Sequence, residues 1–125
     1  MMTAKQVGEQ IVKRYLEGKS VEAVEALYAD DVISVEAHQG GGPPQLVRGK
    51  SAVVEKAKWW RDNNIIHHAN LKGPFPHGDH KFAIFYVLDL TNKDMNNTRV
   101  SLEEVGVYEV KDGKVTREEF YYNIA

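Results

Sequence analysis

The groups in this chain that can do chemistry are carboxylates, imidazoles and phenols: 18 Asp and Glu, 5 His and 6 Tyr, with no Cys. The lack of cysteine removes thiol nucleophiles, CxxC redox pairs, thiolate metal sites and disulfides. The histidines are scattered, His38 beside a glycine run, His67 and His68 together, His77 and His80 in one polar stretch. None has HExxH or comparable ligand spacing, so no metal is expected. Gly40-Gly41-Gly42 is not followed by a GK[ST] helix start, which argues for a mobile rim loop over a phosphate cradle. Ser20, Ser34, Ser51 and Ser101 have no nucleophile elbow around them, and no cofactor is implied. What remains is general acid and base chemistry, for which a carboxylate or imidazole must sit in apolar surroundings that move its pKa toward neutrality.

The elements that would hold such groups follow from periodicity. Thr3 suits the N-cap of a helix running to about Glu17, since Val7, Ile11 and Tyr15 recur every four residues and Gly18 follows. Ser20 suits the cap of a second helix, Val21 to about Tyr28, ended by Asp30-Asp31. Val32 to His38 alternates as a short strand, and Gln39 to Gln45 is a loop. A third helix, about Ser51 to Asp62, carries Val53, Ala57 and Trp60 on one face. Four strands follow, Ile65 to Phe75, Lys81 to Thr91, Arg99 to Val110 and Lys114 to Tyr122, joined by short turns. This order predicts one α+β domain over 1–125, a curved antiparallel sheet packed on three N-terminal helices.

Strand parity then sorts the chemistry. Phe82, Ile84, Tyr86, Leu88 and Leu90 form a bulky, helix-facing side, matched by Leu102, Glu104, Gly106, Tyr108 and Val110. The opposite side carries Ala83, Phe85, Val87, Val105 and Val107, too apolar for open water. That pattern predicts a homodimer packed through the outer sheet face; the alternative is cover by loops or by curling of the sheet. Glu104 is the odd residue on the inner side, where a carboxylate must be paired, hydrogen-bonded or protonated. Ile65, His67, Ala69 and Leu71 share a parity, which places His67 in the same interior and His68 outside. His67 and Glu104 would then form either an acid/base pair or a satisfied polar contact in a core. Asp89 has the outer parity and is expected in solvent.

Composition places bounds on partners. With 42% apolar and 27% charged residues and a formal net charge of -2, the chain reads as an ordinary globular domain. No basic stripe is visible for nucleic acid, and no apolar run approaches a membrane span. The first residues lead into a polar helix rather than an apolar signal core, so a cytoplasmic protein is expected.

In this order of elements, Leu27-Tyr28-Ala29-Asp30-Asp31-Val32, Arg48-Gly49-Lys50-Ser51-Ala52-Val53 and Val110-Lys111-Asp112-Gly113-Lys114-Val115, followed by Arg117-Glu118-Glu119-Phe120-Tyr121-Tyr122, make the chain resemble the SnoaL-like branch of the nuclear transport factor 2-like superfamily. The resemblance implies a cone of helices and sheet around a deep pocket, commonly dimeric through the sheet. Its members include ketosteroid isomerase, limonene-epoxide hydrolase and polyketide cyclases alongside non-catalytic proteins. Tyr15 is similar in position to the isomerase tyrosine. The isomerase base is missing from Val35-Glu36-Ala37, and the epoxide hydrolase aspartate falls at Phe120, which disfavours both reactions. The resemblance also turns Thr116, Glu118, Phe120 and Tyr122 inward; alternatively Glu118 and Glu119 are a solvated sheet edge. The resulting expectation is an apolar pocket for a small molecule bearing a carbonyl or hydroxyl, with cofactor-free proton transfer. His67 or Glu118 would take the proton, Tyr15, Tyr122 or protonated Glu104 would donate to the developing oxyanion, and Trp60, Tyr86 and Tyr108 would complete the walls. The alternative is a non-catalytic dimeric binding or assembly module whose cavity is filled by its own aromatic side chains.

Overall fold

The computed structural model describes residues 1–123. Helix α1 (Ala4–Leu16) starts where a capping box closes: the Gln6 amide donates to Thr3 Oγ1 at 3.1 Å, and the Thr3 amide donates to Gln6 Oε1 at 2.9 Å. Its buried stripe is Ala4, Val7, Gly8 and Ile11. Helix α2 (Ser20–Leu27) takes Lys19 as its cap residue, with no side-chain cap bond, so the helix begins at the serine read above as its cap. At Tyr28 the backbone turns extended (φ -98, ψ 146), and β1 (Tyr28–Val35) starts there. That is earlier than the Val32 to His38 reading, because pairing with a later strand outweighs the helical pattern at Tyr28.

A three-residue strand that periodicity does not reveal, β2 (Leu46–Arg48), pairs antiparallel with β1. Helix α3 (Lys50–Asn63) then carries the chain from this edge of the sheet to the other, where β3 (Asn64–His77), β4 (Lys81–Asn92), β5 (Thr98–Lys111) and β6 (Lys114–Tyr121) run back as a meander. The sheet order is β2-β1-β6-β5-β4-β3. The meander brings β6 beside β1 in the parallel sense, so the sheet is mixed rather than wholly antiparallel. One crossover helix makes that pairing accessible.

All three helices lie on one face. Helix α1 packs on β3 and β4, α3 on β1 and β2, and α2 bridges α1 and α3. Along β4, Phe82, Ile84, Tyr86, Leu88 and Leu90 alternate inward and are at most 3% exposed, each burial stabilising the fold by about 1.5–3 kcal/mol. Gly106 on β5 sits beneath Tyr108: a Cβ there would stand 2.8 Å from Tyr108 Cε1 and 2.9 Å from its hydroxyl. The missing side chain lets the Tyr108 ring lie along the strand, stacked 4.9 Å from Phe82, with its hydroxyl bonded to that of Tyr86.

Among the irregularities of the ladders, two bear on residues singled out for the site. Ile66 pairs with Leu90 but His68 pairs with Asp89, so His67 is the extra residue of β3. Between β5 and β6, Glu109 pairs with Arg117 and Val110 with Val115, leaving Thr116 outside the ladder with its hydroxyl donating to the Glu109 carbonyl at 3.3 Å. Among the described residues no helix is long and apolar enough to cross a membrane.

Candidate functional site

The helices do not fill the concave side of the sheet. A cavity of about 120 Å³ remains between them, where one water needs about 10–15 Å³. Its apolar walls come from Ile11 and Tyr15 on α1, Val24 on α2, Val53, Ala57 and Trp60 on α3, and Tyr86, Tyr108 and Phe120 on the sheet. Besides its tyrosines, the cavity is faced among the described residues by three carboxyl side chains, Glu36, Glu104 and Glu118, and one ammonium, Lys56.

Glu118 is placed by alternation along β6. It points inward opposite Tyr108 and is 5% exposed, while Arg117 and Glu119 point outward and pair with each other at 2.9 Å. Each carboxyl oxygen of Glu118 accepts a bond: Tyr28 Oη donates to Oε1, and Ser34 Oγ donates to Oε2 at 2.6 Å. Burial raises its pKa, and the Ser34 and Tyr28 donors together with the Lys56 charge pull it back. Lys56 Nζ in turn donates to Ser34 Oγ at 2.7 Å and pairs with Glu36 Oε2 at 2.8 Å, and Tyr122 Oη donates to Glu36 Oε1 at 3.0 Å. The ammonium also lies 5.6 Å from the centre of the Phe120 ring.

Glu104 differs from the other two carboxylates. Its side chain lines the cavity, and among the described residues nothing hydrogen-bonds to it. Since no buried side-chain polar atom among the described residues lacks a partner, its oxygens keep their access through the cavity. Burial, reinforced by the charges of Glu36 and Glu118 and opposed by Lys56, pushes its pKa up to about 8. At neutral pH Glu104 therefore carries a proton that it can donate into the cavity. The phenols stay neutral: burial raises Tyr15, Tyr28, Tyr86 and Tyr108, with Glu104 adding to the rise at Tyr15 and Glu118 at Tyr28. Tyr15 and Tyr86 meet at 5.2 Å between ring centres.

Of the side chains singled out from the sequence, Glu104, Glu118, Tyr15, Trp60, Tyr86 and Tyr108 line this cavity. Tyr122 stands behind it, bonded to Glu36 and 5.8 Å from the His38 ring. His67 does not belong. The β3 bulge turns it to the outer face, where it is exposed and its Nε2 sits 2.7 Å from Thr91 Oγ1. In place of the expected His67–Glu104 pair, Glu104 faces the cavity alone while Glu36 and Glu118 are linked through Lys56 and Ser34. Thr116, likewise, is displaced by its bulge. Asp89 has the expected outer position, bonded there to Arg99 Nε at 2.9 Å.

Lys56, Ser34 and Tyr28 are the site residues that sequence reasoning passed over. A signal for Lys56 existed: Val53, Lys56, Ala57 and Trp60 form one i, i+3, i+4, i+7 stripe in which lysine is the misfit. Ser34 likewise shares the inward parity of Val32 on β1. Among the described residues no group of three or more side chains is arranged to hold a metal ion.

A SnoaL-like domain model matches residues 2–122. A Mesorhizobium loti structure, named as a candidate SnoaL-like polyketide cyclase, is 36% identical, superposes with a TM-score of 0.86, and covers 97% of this chain and 100% of its own. Two more distant structures share the fold. A Mycobacterium tuberculosis protein, Rv0760c, in complex with estradiol-17β-hemisuccinate, is 21% identical at a TM-score of 0.76 over 98% of this chain and 96% of its own. A candidate isomerase from Bacillus subtilis is 16% identical at 0.77 over 96% and 86%. No protein of curated function matches the sequence. Helix order, mixed curved sheet and near-complete alignment agree: the chain belongs to the SnoaL-like family, with the cystatin-like α+β fold of nuclear transport factor 2-like proteins.

Proposed function

We propose that this protein binds a small, neutral, largely apolar molecule bearing a carbonyl or hydroxyl and acts on it by proton transfer without a cofactor. The observation that carries this is Glu104, a proton-bearing carboxyl with no hydrogen-bond partner among the described residues, facing a cavity whose other carboxylates and lysine are already paired. Glu104 has a donor that no protein group takes up, and a ligand carbonyl or hydroxyl oxygen entering the cavity can accept from it. An anionic ligand fits poorly, because the one cation lining the cavity, Lys56, is already held by Ser34 and Glu36. In the proposed step Glu118 takes a proton from the carbon beside the carbonyl. The C–H electrons form a carbon–carbon double bond, the carbonyl electrons move to oxygen, and Glu104 donates to that oxygen. Returning the proton to carbon regenerates both groups.

The open cavity favours this reading over a purely structural module. The account extends to assembly: Phe75, Ala83, Phe85, Val105, Val107 and Tyr121 share the outer face, adjacent in register and half-buried or exposed in the single chain, which suits a second copy of this chain. We also place the protein in the cytoplasm, on its composition alone. The test of ligand chemistry is exchange of the α-hydrogens of cyclohexanone for deuterium in D₂O, followed by NMR, together with Trp60 fluorescence in a Trp59→Phe background. Catalysed exchange and a saturable fluorescence change are expected, both lost in Glu104→Leu, which removes the donor. Exchange no faster than buffer with flat fluorescence across a panel of cyclic ketones would reject the proposal.

A further inference from the structure

Glu118 and Glu104 lie on neighbouring strands and face one cavity, yet the structure treats them unequally. The difference lies in the direction of the hydrogen bonds that reach Glu118. A lysine ammonium has only donors, so the 2.7 Å bond from Lys56 Nζ makes Ser34 Oγ an acceptor. The Ser34 hydroxyl hydrogen is then free to point at Glu118 Oε2, 2.6 Å away. Tyr28, a phenol kept neutral by burial, points its own hydrogen at Oε1. Both oxygens of Glu118 thus receive donors, an arrangement that favours a carboxylate. A proton on either oxygen weakens the bond which that oxygen accepts, so the two donors lower the proton affinity of Glu118 relative to a carboxyl without them and still leave it able to take a proton. No such chain reaches Glu104.

We propose that Lys56 and Ser34 are positioning residues that set the direction of this relay, holding Glu118 as the carboxylate that accepts a proton and leaving Glu104 as the carboxyl that donates one. The inference rests on the proton-transfer reading above and assigns two residues outside its acid and base. Neither touches the reacting atoms in that scheme; both act through Glu118. The groups facing Glu118 are Tyr28 and Ser34 from β1, Glu36 just beyond it, Lys56 from α3, Tyr86 from β4, and Glu104 and Tyr108 from β5. Lys56 is the one cation among them. Its other contact, Glu36 at 2.8 Å, is braced by Tyr122, and its side chain is 13% exposed, so the ammonium is fixed rather than free to swing into solvent.

The experiment is a carboxyl ¹³C NMR titration of the full-length protein, with Glu104 and Glu118 assigned by Gln substitution, in wild type and in Lys56→Met, Lys56→Arg and Ser34→Ala. In wild type Glu118 should ionise at lower pH than Glu104. Lys56→Met should raise both midpoints, Glu118 by about one pH unit or more. Ser34→Ala should raise that of Glu118 and leave Glu104 in place, because Ser34 bonds only to the former. Lys56→Arg, which keeps the charge and a donor, should restore the wild-type order. Glu118 ionising above Glu104 in wild type, or Glu118 unmoved in folded Lys56→Met and Ser34→Ala, would overturn the proposal. Ser34→Ala removes a single oxygen and keeps the test available if Lys56→Met does not fold. The titration needs no ligand, so failure of cyclohexanone exchange alongside the expected midpoints would reject the catalytic reading alone.

Discussion

Replacing Glu104 by Gln removes one titration from the folded protein, and the consequence for stability can be worked through. In an unfolded chain Glu104 ionises near 4.5, whereas in the fold its pKa is pushed up to about 8. Between those values the unfolded chain has lost the proton and the folded protein keeps it, so rising pH favours unfolding. The contribution is fully present below about pH 4.5 and is lost as pH rises through about 8. At about 1.4 kcal/mol per pH unit the loss amounts to about 3 kcal/mol at pH 7 and about 5 kcal/mol at pH 9. Water entering the cavity screens part of it, so a range of roughly 2–5 kcal/mol is the working figure. Urea unfolding followed by circular dichroism at pH 5, 7 and 9 gives the quantity directly. Glu118 is raised as well and adds a slope of the same sign, but it is present in both proteins, and the difference between them isolates Glu104. Glu104→Gln should therefore gain on wild type as pH rises. Parallel stability curves over pH 5 to 9 would refute the claim that Glu104 is held protonated by its surroundings.

Tyr28→Phe removes a donor to Glu118 and should cost about 1.5–3 kcal/mol at pH 8, the range for hydrogen bonds to charged groups, read from urea midpoints. Gly106→Ala places a methyl against the Tyr108 ring; it should cost about 1–3 kcal/mol as an overpacked site and weaken cyclohexanone-induced fluorescence change, by the same assays. His67→Ala should leave stability within about 0.5 kcal/mol and leave deuterium exchange unaltered, since the bulge keeps the imidazole outside the cavity. The proposed outer-face dimer predicts a dimer mass for the wild type in sedimentation experiments and a monomer mass for Val107→Arg; an unaltered mass in the variant would move the interface away from the outer face.

The helices and the long strands were legible because their apolar residues keep one period from end to end. Alternation along Lys81 to Thr91 and Arg99 to Val110 was enough to turn Glu104 inward, as the structure has it. Alternation failed where the ladder itself is irregular. A bulge inserts one residue without a local mark in composition, and one bulge in β3 moved His67 from the interior to the outer face. The strand β2 is three residues long, too short to show a period at all. Its existence depends on pairing with the preceding strand β1 across the glycine- and proline-containing loop, a contact that three residues of sequence do not announce. The site was only half legible for a related reason. Glu104 stands out as a carboxylate among apolar neighbours on its own strand, but the relay through Ser34 and Lys56 joins a strand to a helix 22 residues later. Lysine in an apolar helical stripe reads by default as a chain that extends to solvent, and only its partners in space show that it stays inside.

The proposed chemistry depends on a cavity carboxyl poised to donate a proton. The pH titration of the Glu104 side-chain carboxyl by ¹³C NMR in the wild-type protein reads that property itself. The midpoint should lie near 8, well above that of an exposed glutamate; a midpoint near 4.5 would mean that Glu104 is ionised at neutral pH and has no proton to give.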